Sequence, residues 1–235
     1  MTLPDGRKFV HAVFDPEGQW LIALLDNGRL VRIELPSSAN EELGQVDALG
    51  RYGPRLAVNV RGQVFGSGFG GSIWCFDPVR GVIDKWAQTL ACGPGREGYS
   101  YAAGWACDHQ RNWLYASSTA DGTLSVLDCE ARTVRSLGQV DAFSPVAAMS
   151  VTHDGRLFGV AGGADDIGRL FTYDPDRGEL KDLGICVSVL GARVYGFVFG
   201  AAVTGCDGEI LLGEADNISH LWIYYPSIRP VPAAQ

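Results

Sequence analysis

Short apolar runs alternate along the chain with clusters of turn residues. Trp20-Leu21-Ile22-Ala23-Leu24, Val64-Phe65-Gly66, Trp113-Leu114-Tyr115-Ala116, Leu157-Phe158-Gly159-Val160 and Ile210-Leu211-Leu212-Gly213 are three to five residues each. Each follows a turn, in order Asp15-Pro16-Glu17-Gly18, Val60-Arg61-Gly62, Asp108-His109-Gln110-Arg111-Asn112, Thr152-His153-Asp154-Gly155 and Cys206-Asp207-Gly208. Runs this short, bounded by Gly, Pro, Asp and Asn, predict β-strands. Upstream of each turn stands a further strand rich in Ala, Val and Gly, such as Val146-Ala147-Ala148-Met149-Ser150-Val151. No stretch carries a convincing helical period.

A second hairpin follows each of these. Gly168 to Gly184 reads GRLFTYDPDRGELKDLG: turn, strand, tight turn, strand. The stretch Gly71 to Ile83 repeats it closely, and Gly122 to Gly138 and Gly28 to Gly44 repeat it more loosely. Ser219 to Pro226 is a fifth, altered copy. Leu30, Ile73, Leu124, Leu170 and Leu221 are equivalent positions, spaced about 43, 51, 46 and 51 residues apart, in the range of propeller blades. In Asp-Pro-x-x-Gly the Asp bonds the backbone ahead, Pro sets φ and Gly ends the turn. That is hairpin punctuation and carries no chemistry.

Four strands per unit, repeated five times, predict an all-β protein: one β-propeller domain of five four-stranded blades. The approximate blades are 8–50, 51–98, 99–143, 144–192 and 193–235. A sandwich or a barrel fits the repeated four-strand unit less well. Small residues on the first strand of each unit suit a crowded position around a central axis. The fifth unit departs from the rest, because Pro226, Pro230 and Pro232 follow its third strand and remove ladder donors. Either five blades close loosely, or the chain is part of a larger ring; five is the preferred reading.

Composition narrows the function classes. With 19 Lys and Arg against 27 Asp and Glu, the net charge is -8, and no basic stripe exists for nucleic acid or an anionic membrane. No segment is apolar enough for a membrane span, and Met1-Thr2-Leu3-Pro4-Asp5-Gly6 is not a signal peptide. The expected location is therefore cytoplasmic, or secreted or periplasmic if the natural N-terminus is longer. The six cysteines lack metal-site spacing and several lie in apolar runs, which predicts buried free thiols. No cofactor motif, Walker loop, G-x-S-x-G or H-E-x-x-H occurs, and metal is expected to be absent.

Propeller sites sit at the channel mouth, on loops leading into the innermost strands. Those lead-in segments are Arg51-Tyr52-Gly53-Pro54-Arg55, Tyr99-Ser100-Tyr101, Phe143-Ser144-Pro145 and Arg193-Val194-Tyr195-Gly196, with Lys8 and His11 equivalent in the first unit. Arg offers a planar fork for carboxylates, and Tyr a stacking face with a hydroxyl. Tyr52, Arg55, Tyr99 and Tyr101 are thus candidate ligand-binding residues for an anionic or polyhydroxylated partner. The competing reading has the same side chains bracing blade junctions. Alternation in Phe9-Val10-His11-Ala12-Val13 directs His11 toward the channel, as a site residue or a satisfied inner-strand histidine. His109 and His153 read as surface turns, and His220 as a rim residue. Glu214, Asp216, Asp165 and Asp166 read as solvated loop charge, with an acid/base pair or a Ca²⁺ site, for which no EF-hand-like spacing exists, as the sharper alternatives.

The unit GRLFTYDPDRGELKDLG resembles the repeat of large β-propeller families, including kelch-like proteins and propeller polysaccharide lyases. The stretch Tyr195 to Tyr224 resembles a terminal blade of the same group, and the likeness covers nearly the whole chain. For a lyase of this kind the resemblance implies β-elimination from a uronate-bearing glycan. Arg55 or Arg193 would neutralise the carboxylate, and Tyr195, Tyr101 or His11 would exchange protons. The expected catalytic set is Arg193, Tyr195 and His11, acting on an acidic oligosaccharide or polysaccharide. The alternative is a non-catalytic scaffold propeller that holds another protein.

Overall fold

The computed structural model describes residues 6–35, 37–46, 52–141, 144–163, 166–188, 193–216 and 219–227, with Tyr52 described by its backbone. Arg51, Phe143, Asp165, Pro230 and Pro232 lie outside the described residues. The chain is all-β, a five-bladed propeller of antiparallel sheets. Blade 1 holds β1 (Phe9–Phe14), β2 (Trp20–Leu25), β3 (Arg29–Glu34) and β4 (Asn40–Gln45). Blade 2 holds β5 (Tyr52–Val58), β6 (Val64–Gly68), β7 (Ser72–Asp77) and β8 (Val82–Thr89). Blade 3 holds β9 (Ala102–Asp108), β10 (Trp113–Ser118), β11 (Leu124–Asp128) and β12 (Thr133–Gly138). Blade 4 holds β13 (Ala148–Val151), β14 (Leu157–Ala161), β15 (Arg169–Asp174) and β16 (Glu179–Ile185). A two-stranded link, β17 (Val187–Ser188) with β18 (Val194–Tyr195), leads to blade 5: β19 (Phe199–Thr204), β20 (Ile210–Glu214) and β21 (Leu221–Tyr224). Helix is confined, among the described residues, to single 3-10 turns such as Phe69–Gly71 and Glu97–Tyr99.

Strands run inside to outside in each blade, and the innermost strands β1, β5, β9, β13 and β19 pack in succession. The core is correspondingly divided into layers between blades. Ile22, Leu24, Leu56 and Trp74 join blades 1 and 2. Phe65, Ile73, Leu114 and Leu127 join blades 2 and 3. Tyr115, Val126, Phe171 and Tyr173 join blades 3 and 4, and Phe158, Val160, Phe199 and Leu212 join blades 4 and 5. A further cluster, Ala23, Leu25, Val31 and Ile33, lies on the other face of blade 1, and no described residue of blade 5 belongs to it.

The turn chemistry works as the residues dictate. Asp77 Oδ1 accepts the Val79 and Arg80 backbone N–H groups at 2.9 and 3.1 Å, and Gly81 closes the turn at φ +65°. Burial pushes the Asp77 carboxyl up, but these bonds with those from Arg80 and Gln63 outweigh it and hold its pKa below the usual range. Asp128 Oδ1 accepts the Glu130 and Ala131 N–H groups in blade 3, and Asp174 Oδ1 accepts the Asp176 N–H in blade 4. Gly66 has a different reason to be glycine. A Cβ there would lie 2.0 Å from Cζ2 of Trp74, so only a missing side chain lets the indole lie across β6.

Blade 5 stops one strand short among the described residues. Pro226 follows β21 outside any strand, as expected of a residue with no N–H to donate. The six thiols are free, with Cys75, Cys129 and Cys186 buried, Cys92 and Cys107 half-buried, and Cys206 exposed. Cys206 thus departs from the expected burial, because it sits exposed on the hairpin turn between β19 and β20.

Candidate functional site

The residues singled out on the lead-in segments fall into separate groups. His11 stands in β1, half-buried, and its Nδ1 accepts the Leu56 backbone N–H at 3.2 Å. An Nδ1 that accepts has no proton, so the neutral ring carries its proton on Nε2 and acts there as a donor. Burial lowers the His11 pKa below 6.5, and the Arg55 guanidinium lowers it further. Both causes favour the uncharged ring. Arg55 itself is half-buried on β5 and donates from Nη1 to the Gly200 carbonyl at 3.4 Å, linking blade 2 to blade 5.

The tyrosines are dispersed. Tyr52 pairs with Gly68 through its backbone. Tyr99 ends a 3-10 turn, 72% exposed, with Phe69 edge-on to it at 6.3 Å. Tyr101 is half-buried beside Gly53, so close that a Cβ on Gly53 would meet its ring at 3.0 Å. Its N–H donates to Thr119 Oγ1 at 3.1 Å. Arg193 is exposed at the start of the segment that forms β18, where Tyr195 pairs with Val187.

A second group gathers around Glu214, at the end of β20. Its side chain is fully buried at 0% exposure, which a carboxylate tolerates only with donors on its oxygens. Oε1 accepts the Phe197 N–H at 3.2 Å. Oε2 accepts the His220 N–H at 3.2 Å, His220 Nδ1–H at 2.9 Å and the Trp222 Nε1–H at 3.3 Å. His220 is the reverse of His11. With Nδ1–H given to a carboxylate, the neutral ring has its lone pair on Nε2, on a side chain that is 41% exposed. His220 borders a recess of about 390 Å³ shared with Val187, Ser188, Val194 and Trp222. Val194 brings β18 to this recess, while its chain neighbours Arg193 and Tyr195 are not among the lining residues.

Reading Glu214 as solvated loop charge is therefore overturned: it is a buried hydrogen-bond hub. The signal lay in the hairpin count. Gly213 pairs with Leu221, so residues 214 and 220 face each other across the β20–β21 turn. Asp166 is exposed, as a loop acid should be. His109 and His153 line another recess of about 390 Å³ with Trp105, Cys107, Ser150 and Thr204, at the hairpin turns. His153 Nε2 lies 3.1 Å from the Gly205 carbonyl and Ser150 Oγ 2.7 Å from Thr204 Oγ1, so both are engaged in joining blades 4 and 5. Among the described residues no three His, Cys, Asp or Glu side chains gather as a metal site, and no helix is long and apolar enough to cross a membrane.

No protein-family model matches the chain, and no curated protein matches it in sequence. Solved structures do match in shape. Virginiamycin B lyase from Staphylococcus aureus superposes with a TM-score of 0.67 at 12% identity, over 97% of this chain and 73% of that one. A streptogramin B lyase gives 0.65 at 15%, over 96% and 71%, and U3-55K gives 0.60 at 10%, over 90% and 76%. None of these three is named as a kelch-like protein or a uronate lyase. At such identities the likeness shows the propeller fold alone, and the fold hosts many activities.

Proposed function

We propose that the chain binds an acidic, uronate-bearing glycan on the face carrying the lead-in segments, and cleaves it by β-elimination. The observation that carries this reading is the Glu214–His220 pair, a buried carboxylate holding an exposed imidazole with Nε2 as proton acceptor. The likeness to two lyase propellers supports the reaction class but not the substrate. His220 Nε2 takes the C5 proton, the C4–C5 double bond forms, and the C4–O bond breaks. The departing oxygen takes a proton from the Tyr195 hydroxyl, which solvent restores. Arg193, next to Val194 in the chain, or Arg55, held at Gly200 beside the strand partner of Glu214, neutralises the uronate carboxylate. His11, protonated on Nε2, serves as a donor to the bound anion instead of as the base.

Incubation with oligouronates tests this, since elimination leaves an unsaturated uronate that absorbs in the ultraviolet. His220→Ala is expected to lower the rate by about 100-fold or more, with binding retained. Absence of both absorbance and binding across a panel of uronate polymers sinks the proposal. The scaffold reading draws its support from a different surface, the exposed apolar edge of blade 5.

A further inference from the structure

Arginines clasp successive blades together at their hairpin turns. Arg61, on the turn between the first two strands of blade 2, is ion-paired with Glu130 of blade 3. Arg111 of blade 3 donates from Nη2 to Asp176 Oδ1 of blade 4 at 2.6 Å. Arg156 of blade 4 donates from Nη2 to the Ser227 carbonyl, just past β21 of blade 5, at 2.6 Å. Glu130, Asp176 and Ser227 hold one place in the repeat, each six residues after the leucine that marks the third strand, Leu124, Leu170 or Leu221. The junction of blades 1 and 2 departs from this. Its turn, Asp15 to Trp20, contains no arginine, and the receiving place, six residues after Ile73, is Val79, 92% exposed. Here a recess of about 360 Å³ opens between the turns of the two blades.

The junction of blades 3 and 4 shows what fits such a space. Asp15 and Asp108 each stand five residues before the tryptophan that opens the second strand, Trp20 or Trp113. Gly62 and Gly155 each close the turn of the facing blade, at φ +74° and +78°. At Gly155 the room left by the missing Cβ is taken by the Arg111 guanidinium. That group also donates to Asp108 Oδ2 at 3.0 Å and lies 5.8 Å from the Trp113 ring. At Gly62 a Cβ would meet only proline carbons, Pro16 Cδ at 3.5 Å and Pro78 Cγ at 3.9 Å. Two residues before Trp20, in the place of Arg111, stands Gly18, which supplies no side chain.

The charges around this recess suit a cation. Its arginines, Arg32 and Arg61, are already paired with Glu41 and Glu130. Asp15 spends Oδ1 on the Trp20 N–H at 2.7 Å, and its Oδ2 has no partner among the described residues. Glu17 is exposed and makes no ion pair among the described residues. Nε of Arg32, in the wall, is buried without an acceptor among the described residues, a need that a peptide carbonyl beside the cation would meet. We propose that the recess binds an arginine residue of a peptide chain. Its guanidinium lies against Asp15 and Glu17, and its stem against Trp20, Pro16 and Pro78. The bound arginine completes at the first junction the clasp that Arg61, Arg111 and Arg156 make at the others. This inference does not rest on the glycan reading.

The test titrates the full chain with acetyl-arginine methylamide and follows backbone amide and indole N–H resonances. Saturable shifts centred on Gly18, Trp20 and Gly62 are expected, half-complete at about 1 mM. Acetyl-lysine methylamide and guanidinium ion are expected to bind at least about tenfold more weakly. Asp15→Asn keeps the acceptor for the Trp20 N–H, and together with Glu17→Gln it removes both free charges. This double variant is expected to bind about tenfold more weakly with its thermal midpoint unchanged. Three outcomes overturn the proposal. They are no saturable shift at these residues, equal binding of the lysine compound, and displacement of the same resonances in Arg51→Ala or Arg229→Ala, which makes the chain's own arginine the occupant.

Discussion

Trp74 and Trp222 occupy equivalent places in two repeat units, each directly after the aliphatic residue (Ile73, Leu221) that marks the third strand, and live in different surroundings. Trp74 is 1% exposed, laid across Gly66 in the layer between blades 1 and 2. Trp222 is half-buried, edge-on to Phe199 at 6.1 Å, and its indole N–H is spent on Glu214. One tryptophan is a filler of volume, the other a wall that orients a carboxylate. The same contrast separates the histidines nearby. His11, packed against blade 2, uses its Nδ1 lone pair on a backbone amide, while His220, at the open end of blade 5, keeps its Nε2 lone pair free. Repetition distributes the same strands around the ring, and the places where neighbours are fewest retain chemical capacity.

The comparison can be broken by measurement. Trp74→Ala leaves a large cavity and is expected to cost about 3–5 kcal/mol in chemical denaturation, whereas Trp222→Ala is expected to cost about 1–2 kcal/mol. Equal losses would dissolve the distinction between filler and wall. Glu214→Ala strands the donors of Phe197, His220 and Trp222 and is expected to cost about 3 kcal/mol. Glu214→Gln keeps the shape and should cost about 1 kcal/mol, while loss of elimination activity would match that of His220→Ala.

Thiol labelling gives a smaller effect. Cys206 on blade 5 is exposed and should react at once under native conditions. Burial pushes the thiols of Cys75, Cys107 and Cys129 up to about 12 and that of Cys186 up to about 11, so these should react only on unfolding. Rapid labelling of two or more buried thiols would show that the layers between blades open readily.

The smallest effect is a pH dependence at His11. Its folded pKa lies below 6.5, so the unfolded chain takes up the proton first. The stability contributed by the neutral ring is full above 6.5 and is lost as pH falls from there through the folded pKa. His11→Gln, which retains an acceptor for the Leu56 N–H, should flatten this slope. An unchanged slope would assign it to other groups.

Much of the architecture is legible in the chain. The turn Asp77-Pro78 to Gly81 and its relatives mark hairpins by local bonding alone, and the apolar run from Trp20 becomes β2 with one residue added, Leu25. Pro226 after β21 agrees with the lack of a fourth strand of blade 5 among the described residues, because the absent donor is a property of the residue itself. The polar site is less legible. Alternation along Phe9-Val10-His11 does not hold, since a register shift falls between Phe9 and His11 and resets which side each residue faces. Burial of Glu214 depends on donors from residues 197, 220 and 222, which come together only once three segments of blade 5 have folded. Periodicity reports which face is apolar. It is silent on where a carboxylate finds enough N–H groups to be buried.

The bond from Arg55 to the Gly200 carbonyl has a consequence in time. Its two ends are 145 residues apart. On a ribosome adding about 5–20 residues per second, roughly 7–30 s pass between their syntheses. Blades 1 to 4 can stack in turn as they emerge, each inner strand meeting the one before it. Arg55 must wait, solvated, until the last blade arrives, which makes its contact with Gly200 a late checkpoint in the birth of the ring.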